Sequence, residues 1–191
     1  DSFDRVCKGE IGVGLNPKLG ALGMKPSQLT AIITEVGDLY QNFKKLSSEG
    51  FQSAEVFLDG EPAPGVTLRG SVDAVFDDDP GIRLVDWKTG GLYETEQQLG
   101  FYALLWALEH NELPGRVEAV SIGSGERLTA TPTPESVAAT ATAVADLVNE
   151  LRTALLNGTE QLSRVGGPWC RYCALLDTCE EGAAAVRVAD S

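Results

Sequence analysis

The segment from Arg69 to Tyr102 constrains the fold more than any other part of the chain. It reads as a strand that reaches Asp73, an acidic turn at 77–81, a second strand over 82–87 and then a helix. Asp, Pro and Gly favour tight turns. Two strands joined by so short a turn are expected to pair antiparallel. We therefore predict a hairpin that brings Asp73 near Asp86 on the next strand.

The second strand of this hairpin carries its charged groups on one face. Because side chains alternate along a strand, Asp86 and Lys88 share one face and Trp87 lies on the other. Two carboxylates and an ammonium group at a strand end indicate a divalent-cation site with a lysine beside it. The alternative is that each is only a solvated charge, since Asp and Lys are mostly exposed.

Three short motifs, in this order, resemble the RecB-like group of the PD-(D/E)XK nucleases. They are Gly70-Ser71-Val72-Asp73, Val85-Asp86-Trp87-Lys88-Thr89-Gly90 and Gln98-Leu99-Gly100-Phe101-Tyr102. The resemblance implies an α/β fold with a restriction-endonuclease-like core, in which a central mixed sheet is flanked by helices. It also implies metal-dependent hydrolysis of phosphodiester bonds in DNA.

The resemblance also implies a role for each motif residue. Two carboxylates and one backbone carbonyl would hold one or two Mg or Mn ions; these ligands are Asp73, Asp86 and the carbonyl of Trp87. Lys88 would position the attacking water or stabilise the charge that develops on the phosphate. Gln98 and Tyr102, four residues apart and therefore on one helical face, would orient the DNA strand. For Tyr102 the alternative is a place in the core-facing stripe of its helix.

Two further ligand candidates precede the hairpin. A helix that opens at Pro26-Ser27 carries Gly37-x-x-x-Gln41, where the RecB-like group has a metal-binding histidine. An amide oxygen suits Mg or Mn better than a transition metal. Gln41 is then a weak ligand, the holder of a metal-bound water, a sign of reduced activity, or merely a polar helix residue. Glu55, on the strand over 51–59, is the second candidate, with a cross-strand surface charge as its alternative.

The four cysteines form a second pattern, Cys7 followed by Cys170-x2-Cys173-x5-Cys179. In an intracellular chain, four cysteines favour metal binding over disulfides. Zinc accepts four thiolates. One remote cysteine with three clustered ones nevertheless resembles the iron–sulfur staple of AddB-type and CRISPR-associated RecB-like nucleases. That resemblance implies a structural 4Fe–4S cluster that pins the two chain ends together, with zinc as the alternative.

The formal net charge of −13 argues against a general nucleic-acid coat, because affinity for phosphate needs clustered Lys and Arg. We expect a localised basic rim instead. The sequence shows no apolar run near the roughly 20 residues of a membrane helix, and the acidic N-terminus lacks the apolar segment of a signal peptide. We therefore expect a cytoplasmic protein without a membrane partner. Because the chain begins with Asp1 rather than Met, we expect that it can be trimmed or part of a longer protein.

These patterns together predict one nuclease domain over residues 1–191. It would comprise an N-terminal loop (1–25), a nuclease core (26–160) and a cysteine lobe (161–191). The expected activity is that of a Mg- or Mn-dependent deoxyribonuclease, an exonuclease acting on DNA ends or single strands. One alternative is a catalytically weakened DNA-binding module. The other is the nuclease subunit of a larger complex, a helicase–nuclease or a CRISPR adaptation complex, with protein partners in repair, phage recombination or spacer acquisition.

Overall fold

The computed structural model describes residues 25–93, 95–158 and 164–189. The chain divides into two compact units between Ala141 and Thr142. The first unit contains a mixed sheet, one helix before its first strand and another between its third and fourth strands. The division falls inside the helix Pro134–Asn157.

The first unit follows the predicted α/β pattern. Its elements are α1 (Pro26–Phe43), β1 (Phe51–Ala63), β2 (Val66–Asp78), β3 (Gly81–Lys88), α2 (Thr95–His110), β4 (Arg116–Ser121), β5 (Arg127–Ala130) and the start of α3 (Pro134–Asn157). The sheet order is β1-β2-β3-β4-β5. β3 and β4 run parallel, and the other neighbours run antiparallel. The expected mixed sheet flanked by helices is therefore confirmed.

The hairpin predicted from the acidic turn is β2–β3. Its pairing runs from Asp78↔Gly81 at the turn to Ala74↔Val85. Asp73 and Asp86 are the next residues beyond that pair on the side away from the turn. This register therefore brings the two carboxylates close together, as predicted. The connection from β3 to the parallel strand β4 is α2, as a parallel pair requires a crossover.

Each face of the sheet has its own apolar cluster. On one face, α2 packs against the strands, and the cluster includes Leu58, Val72, Val75, Leu84, Tyr102, Leu105 and Val117. On the other face, the cluster is Ala74, Phe76, Val85 and Val120, with Trp87 packed against it. Phe43, the last residue of α1, contacts Trp87 edge to face at 5.4 Å. Trp87 thus lies opposite Asp86 and Lys88, as strand alternation predicts.

Gly70 allows α2 to approach β2. A Cβ at this position would lie 2.7 Å from Cδ1 of Leu105 and 3.5 Å from Cε1 of Tyr102. Leu105 is fully buried, so its side chain has little room to move aside. The glycine of the first motif is therefore explained by close packing of the helix that carries Tyr102.

The second unit contains the end of α3, two short 3₁₀ turns (Pro168–Tyr172 and Leu176–Thr178) and α4 (Glu180–Ala189). The spacing of apolar residues in α3 predicts a buried stripe that includes Leu147, Leu151 and Leu155. For these three leucines the prediction is wrong, because their side chains are exposed. Periodicity shows that a helix has an apolar side, but it does not show what covers that side. Within the ranges the structure describes, no helix is both long and apolar enough to cross a membrane.

Candidate active site

The sheet separates into two arms at Asp73 and Asp86. β2 pairs with β3 only from Ala74 onward, whereas β1 pairs with β2 on both sides of Asp73, from Val66 to Phe76. The end of β3, Asp86 to Lys88, pairs with β4. Oδ2 of Asp73 accepts a 2.6 Å hydrogen bond from the backbone N–H of Trp87 and so joins the two arms. We call this place the fork.

Side-chain alternation along β2 breaks at Asp73. Val72 and Val75 belong to the same α2-facing cluster, although residues three apart on a regular strand face opposite sides. Glu55 lies between the partners of Val72 and Ala74, and its φ of 52° is left-handed. This conformation costs a non-glycine residue about 1–2 kcal/mol. Such strain is concentrated at functional sites, and here it adjoins a site carboxylate.

A chain of polar contacts links the end of β3 to α2. Nζ of Lys88 lies 2.7 Å from Oδ2 of Asp86 and donates a 2.7 Å hydrogen bond to Oε1 of Gln98. Nε2 of Gln98 donates to the hydroxyl of Tyr102 at 2.8 Å, and that hydroxyl donates to Oδ1 of Asp86 at 3.2 Å. The four side chains therefore close a ring. Gln98 and Tyr102, which the resemblance assigned to the DNA strand, contact the acid and the lysine directly.

The fork is short of positive charge compared with the opposite end of the same hairpin. There, the buried Glu118 contacts Arg83 at 3.1 Å and Arg127 at 2.6 Å. Asp78 contacts Arg83 at 2.7 Å and Arg116 at 3.1 Å. Two carboxylates thus have three guanidinium groups there. At the fork, Asp73 and Asp86 share one ammonium group among the described residues, that of Lys88.

Burial and neighbouring charges raise the pKa values of two side chains at the fork. Desolvation raises the pKa of Asp73 above its ordinary value of 3.8; the hydrogen bond from Trp87 opposes the rise, and the charges of Asp86 and Glu55 add to it. Burial and then the charge of Asp86 raise the pKa of Tyr102 to about 12. The Tyr102 hydroxyl is therefore protonated at neutral pH and able to donate to Asp86.

The oxygen atoms at the fork fit a hard divalent cation. Oδ2 of Asp86 is buried and accepts no hydrogen bond from the described residues, although Lys88 lies beside it. No group of three or more His, Cys, Asp or Glu side chains suited to a metal occurs within 25–93, 95–158 and 164–189. Mg²⁺ is commonly held by one or two carboxylates and keeps several waters. Two aspartates therefore suffice for Mg²⁺ or Mn²⁺.

The other two ligand candidates lie outside this ring. Gln41 is exposed on α1. On the same helix, Asp38, Leu39 and Asn42 line a recess of about 560 Å³ together with Thr89, which follows Lys88. Glu55 is exposed, yet it is close enough for its charge to raise the pKa of Asp73. The only histidine, His110, ends α2 and stacks on Trp106 at 3.7 Å.

Of the four cysteines in the pattern, Cys7 lies outside the described residues. The other three occur in the second unit as free cysteines. The backbone N–H of Gly167 donates to Sγ of Cys170, and that of Gly182 donates to Sγ of Cys179, both at 3.4 Å. A Cβ at Gly182 would lie 3.5 Å from Sγ of Cys170 and 3.4 Å from Sγ of Cys179. Two thiols therefore approach the same backbone position.

Fold and site together define a core with two aspartates and a lysine at the fork of a mixed sheet, backed by a helix that carries Gln and Tyr. The family model of the PD-(D/E)XK nuclease superfamily matches residues 17–180. Because this match covers most of the chain, the protein belongs to that superfamily. Among curated proteins, none gives a significant match.

Proposed function

We propose that this protein is a Mg²⁺- or Mn²⁺-dependent deoxyribonuclease, an exonuclease that hydrolyses DNA at ends or along single strands. Membership of the nuclease superfamily supports the reaction type. The observation that carries the proposal is the ring at the fork, where Lys88 pairs with Asp86 and hydrogen-bonds Gln98 beside Asp73. Such a fixed ammonium beside two carboxylates fits stabilisation of the negative charge that develops on a phosphate.

Each side chain has a distinct part in this proposal. Asp73 and Asp86 would hold the metal, with the carbonyl of Trp87, Gln41 and Glu55 as further candidates. The metal that these residues would hold would supply polarisation of the scissile phosphate and a lower pKa for a bound water. Lys88 places its charge where negative charge develops on the phosphate. Gln98 fixes Lys88, and Tyr102 fixes Asp86, so both orient the reacting groups.

The test is metal-dependent degradation of end-labelled single-stranded DNA. We expect cleavage with Mg²⁺ or Mn²⁺, loss of cleavage with EDTA, and loss in Asp86→Asn and Lys88→Ala. Lys45→Ala is the control, because Lys45 is exposed and, among the described residues, its side chain bonds the nearby Asn42 alone. An exonuclease will degrade linear but not circular single strands. Undiminished cleavage by Asp86→Asn would refute the proposal.

Metal binding can be measured without activity. We expect Mn²⁺ to raise the melting temperature of the wild type, because a ligand that binds only the folded state stabilises it. The rise should be lost in Asp73→Asn and Asp86→Asn. An equal rise in these variants would mean that the metal binds elsewhere.

We further propose that the cysteines hold a 4Fe–4S cluster, with zinc as the alternative. Thiols are the ligands of such clusters, and hydrogen bonds to the sulfurs tune them. The N–H bonds to Cys170 and Cys179 support this assignment. Anaerobically purified protein should absorb broadly near about 400 nm through sulfur-to-iron charge transfer, and Cys179→Ser should lose the band. A colourless protein with stoichiometric zinc would favour the alternative.

A catalytically weakened DNA-binding module is the second candidate. It is favoured by Gln41, which replaces the histidine of the RecB-like motif and is exposed on α1. Binding of DNA without cleavage under any divalent metal would support it. Assignment to the RecB-like group, a cytoplasmic location, and a place in a repair, recombination or CRISPR adaptation complex stay predictions. Size-exclusion chromatography of the full-length gene product would test the last.

A further inference from the structure

The arm formed by β1 and the first part of β2 has a face opposite α2. Val56, Leu58, Leu68 and Val72 pack on the α2 side, so their strand neighbours point the other way. These neighbours form two cross-strand pairs, Phe57↔Ser71 and Asp59↔Arg69. All four line a surface recess of about 620 Å³. We call this set the outer face of the arm.

Phe57 is the most unusual residue of the outer face. Its side chain is 81% exposed, although it lies in the middle of a strand. Its ring lines the recess and is accessible to a bound molecule. Beside it, Oγ of Ser71 is buried and has no hydrogen-bond partner among the described residues. An exposed ring thus lies next to a hydroxyl without a partner.

The outer face reaches the fork along β2, on the side of the sheet opposite the ring that Asp86 and Lys88 form with α2. Ser71 precedes Asp73 by two residues on β2, which is about 7 Å along a strand. Arg69 lies two residues further from the fork. Its side chain is exposed and makes no ion pair within the described part of the chain. Along β2 away from Asp73, Ser71 comes first, across from the exposed ring of Phe57, and Arg69 follows, across from Asp59.

The charge of the protein indicates how a nucleic acid would be held there. With a net charge of −13, attraction of phosphate by the protein as a whole is weak. Proteins that bind single strands also use aromatic side chains, on which any base can stack. Stacking requires an unpaired base, so an exposed phenyl ring favours a single strand over a duplex.

We propose that the outer face of the arm binds single-stranded DNA, with Phe57 stacked on one base and Arg69 in contact with a neighbouring phosphate. That the bound strand is a substrate rests on the proposed function, whereas binding by the outer face does not require catalysis. This assigns Phe57 and Arg69 as positioning residues for the substrate strand.

Binding is measured with fluorescein-labelled oligo(dT) in EDTA, by fluorescence anisotropy. We expect Phe57→Ala and Phe57→Leu to raise the Kd about tenfold, the scale of one lost base stack. Phe57→Trp should preserve affinity because it keeps an aromatic ring. Arg69→Gln should weaken binding and reduce the salt slope by about one. Leu155→Ala is matched in exposure to Phe57 and, with Arg187→Gln, serves as control. Equal effects in the controls would overturn the proposal.

An abasic-site scan separates stacking from general loss of structure. A single abasic nucleotide is moved along the oligonucleotide, and its effect is measured in the wild type and in Phe57→Ala. We expect one position at which removal of the base raises the Kd of the wild type but does not raise the Kd of Phe57→Ala any further. Additive losses at every position would overturn the proposal. The proposal would also be overturned if Phe57→Ala changed the sedimentation coefficient of the DNA-free protein and left its affinity for DNA unchanged. Phe57 would then contact a second copy of the protein.

The two proposals fail separately. A protein that binds oligo(dT) through Phe57 and never cleaves it refutes the nuclease function alone. A protein that cleaves, and binds equally with and without the ring of Phe57, refutes only the stacking role.

Discussion

Oδ2 of Asp73 accepts a 2.6 Å hydrogen bond from the backbone N–H of Trp87, one residue beyond Asp86. A side chain of β2 thus bonds the backbone of β3 where the pairing of the two strands has ended. The same carboxylate holds the arms together and faces the site. Structural and chemical roles of Asp73 can therefore be separated by choice of substitution.

We predict that Asp73→Asn and Asp73→Ala both lose cleavage but differ in stability. Asn keeps an acceptor for the Trp87 N–H, whereas Ala leaves that N–H without a partner, which costs about 1–3 kcal/mol if it stays buried. Urea denaturation should give Asp73→Ala the lower free energy of unfolding. Equal stabilities would show that the bond between the arms contributes nothing.

The raised pKa of Asp73 predicts a dependence of stability on pH. The native state binds this proton more tightly than the unfolded chain. Stability from this group is therefore lost as pH rises from the ordinary value of 3.8 through the raised native value. Asp73→Asn removes this loss, so its stability relative to the wild type should be higher at neutral pH than below 3.8. The measurement is thermal unfolding of the metal-free wild type and variant at a series of pH values. The opposite trend would contradict the claim that burial and neighbouring negative charges raise the pKa of Asp73.

Lys88→Ala should lower the single-turnover cleavage rate by about 10²–10³-fold, the scale of one preorganised charge-stabilising group. It should also destabilise the protein, because Asp86 is buried and loses its only ion-pair partner in the described chain. Lys88→Arg tests geometry at constant charge, since a guanidinium is planar and larger. We expect it to recover stability more than rate. A variant with unchanged rate at saturating DNA would exclude Lys88 from the chemistry.

Tyr102→Phe removes one hydroxyl that donates to Asp86 and accepts from Gln98. We expect cleavage to fall about 10–100-fold through misplacement of Asp86, with a stability loss near 1 kcal/mol. Because the Tyr102 pKa is about 12, the wild-type pH–rate profile should show no inflection from this group below pH 10 or so. Gln98→Glu gives a complementary test of the cleavage rate. It places a second carboxylate beside Lys88, which should draw the Lys88 ammonium group away from Asp86. An unchanged cleavage rate in Tyr102→Phe would show that Tyr102 serves only in the apolar core.

Much of the site follows from local sequence rules. The acidic turn predicts the β2–β3 hairpin, and the two-residue period of a strand places Lys88 beside Asp86 with Trp87 opposite. The four-residue spacing of Gln98 and Tyr102 places both on one side of α2. These are short-range consequences of backbone geometry, so they can be read without knowledge of the neighbours.

Other features depend on residues that are close in the fold but distant in the sequence, and local spacing does not identify these residues. The break in alternation at Asp73 arises where β2 leaves β3 and Glu55 adopts a left-handed conformation. Phe57 would have been found by noting a large apolar residue out of phase with Val56 and Leu58, but its exposure depends on what the other strands cover. The exposed leucines of α3 show the same limit.

The sequence alone determined which residues carry charge, which strands form a hairpin and which side chains share a face, because these depend on contacts a few residues apart. Tertiary structure decided that Gln98 and Tyr102 bond Lys88 and Asp86, that Asp73 closes the fork, and that Gln41 lies outside the ring. These outcomes depend on the packing of α1 and α2 against distant strands, and packing is set by shape and burial over the whole unit rather than by any local spacing.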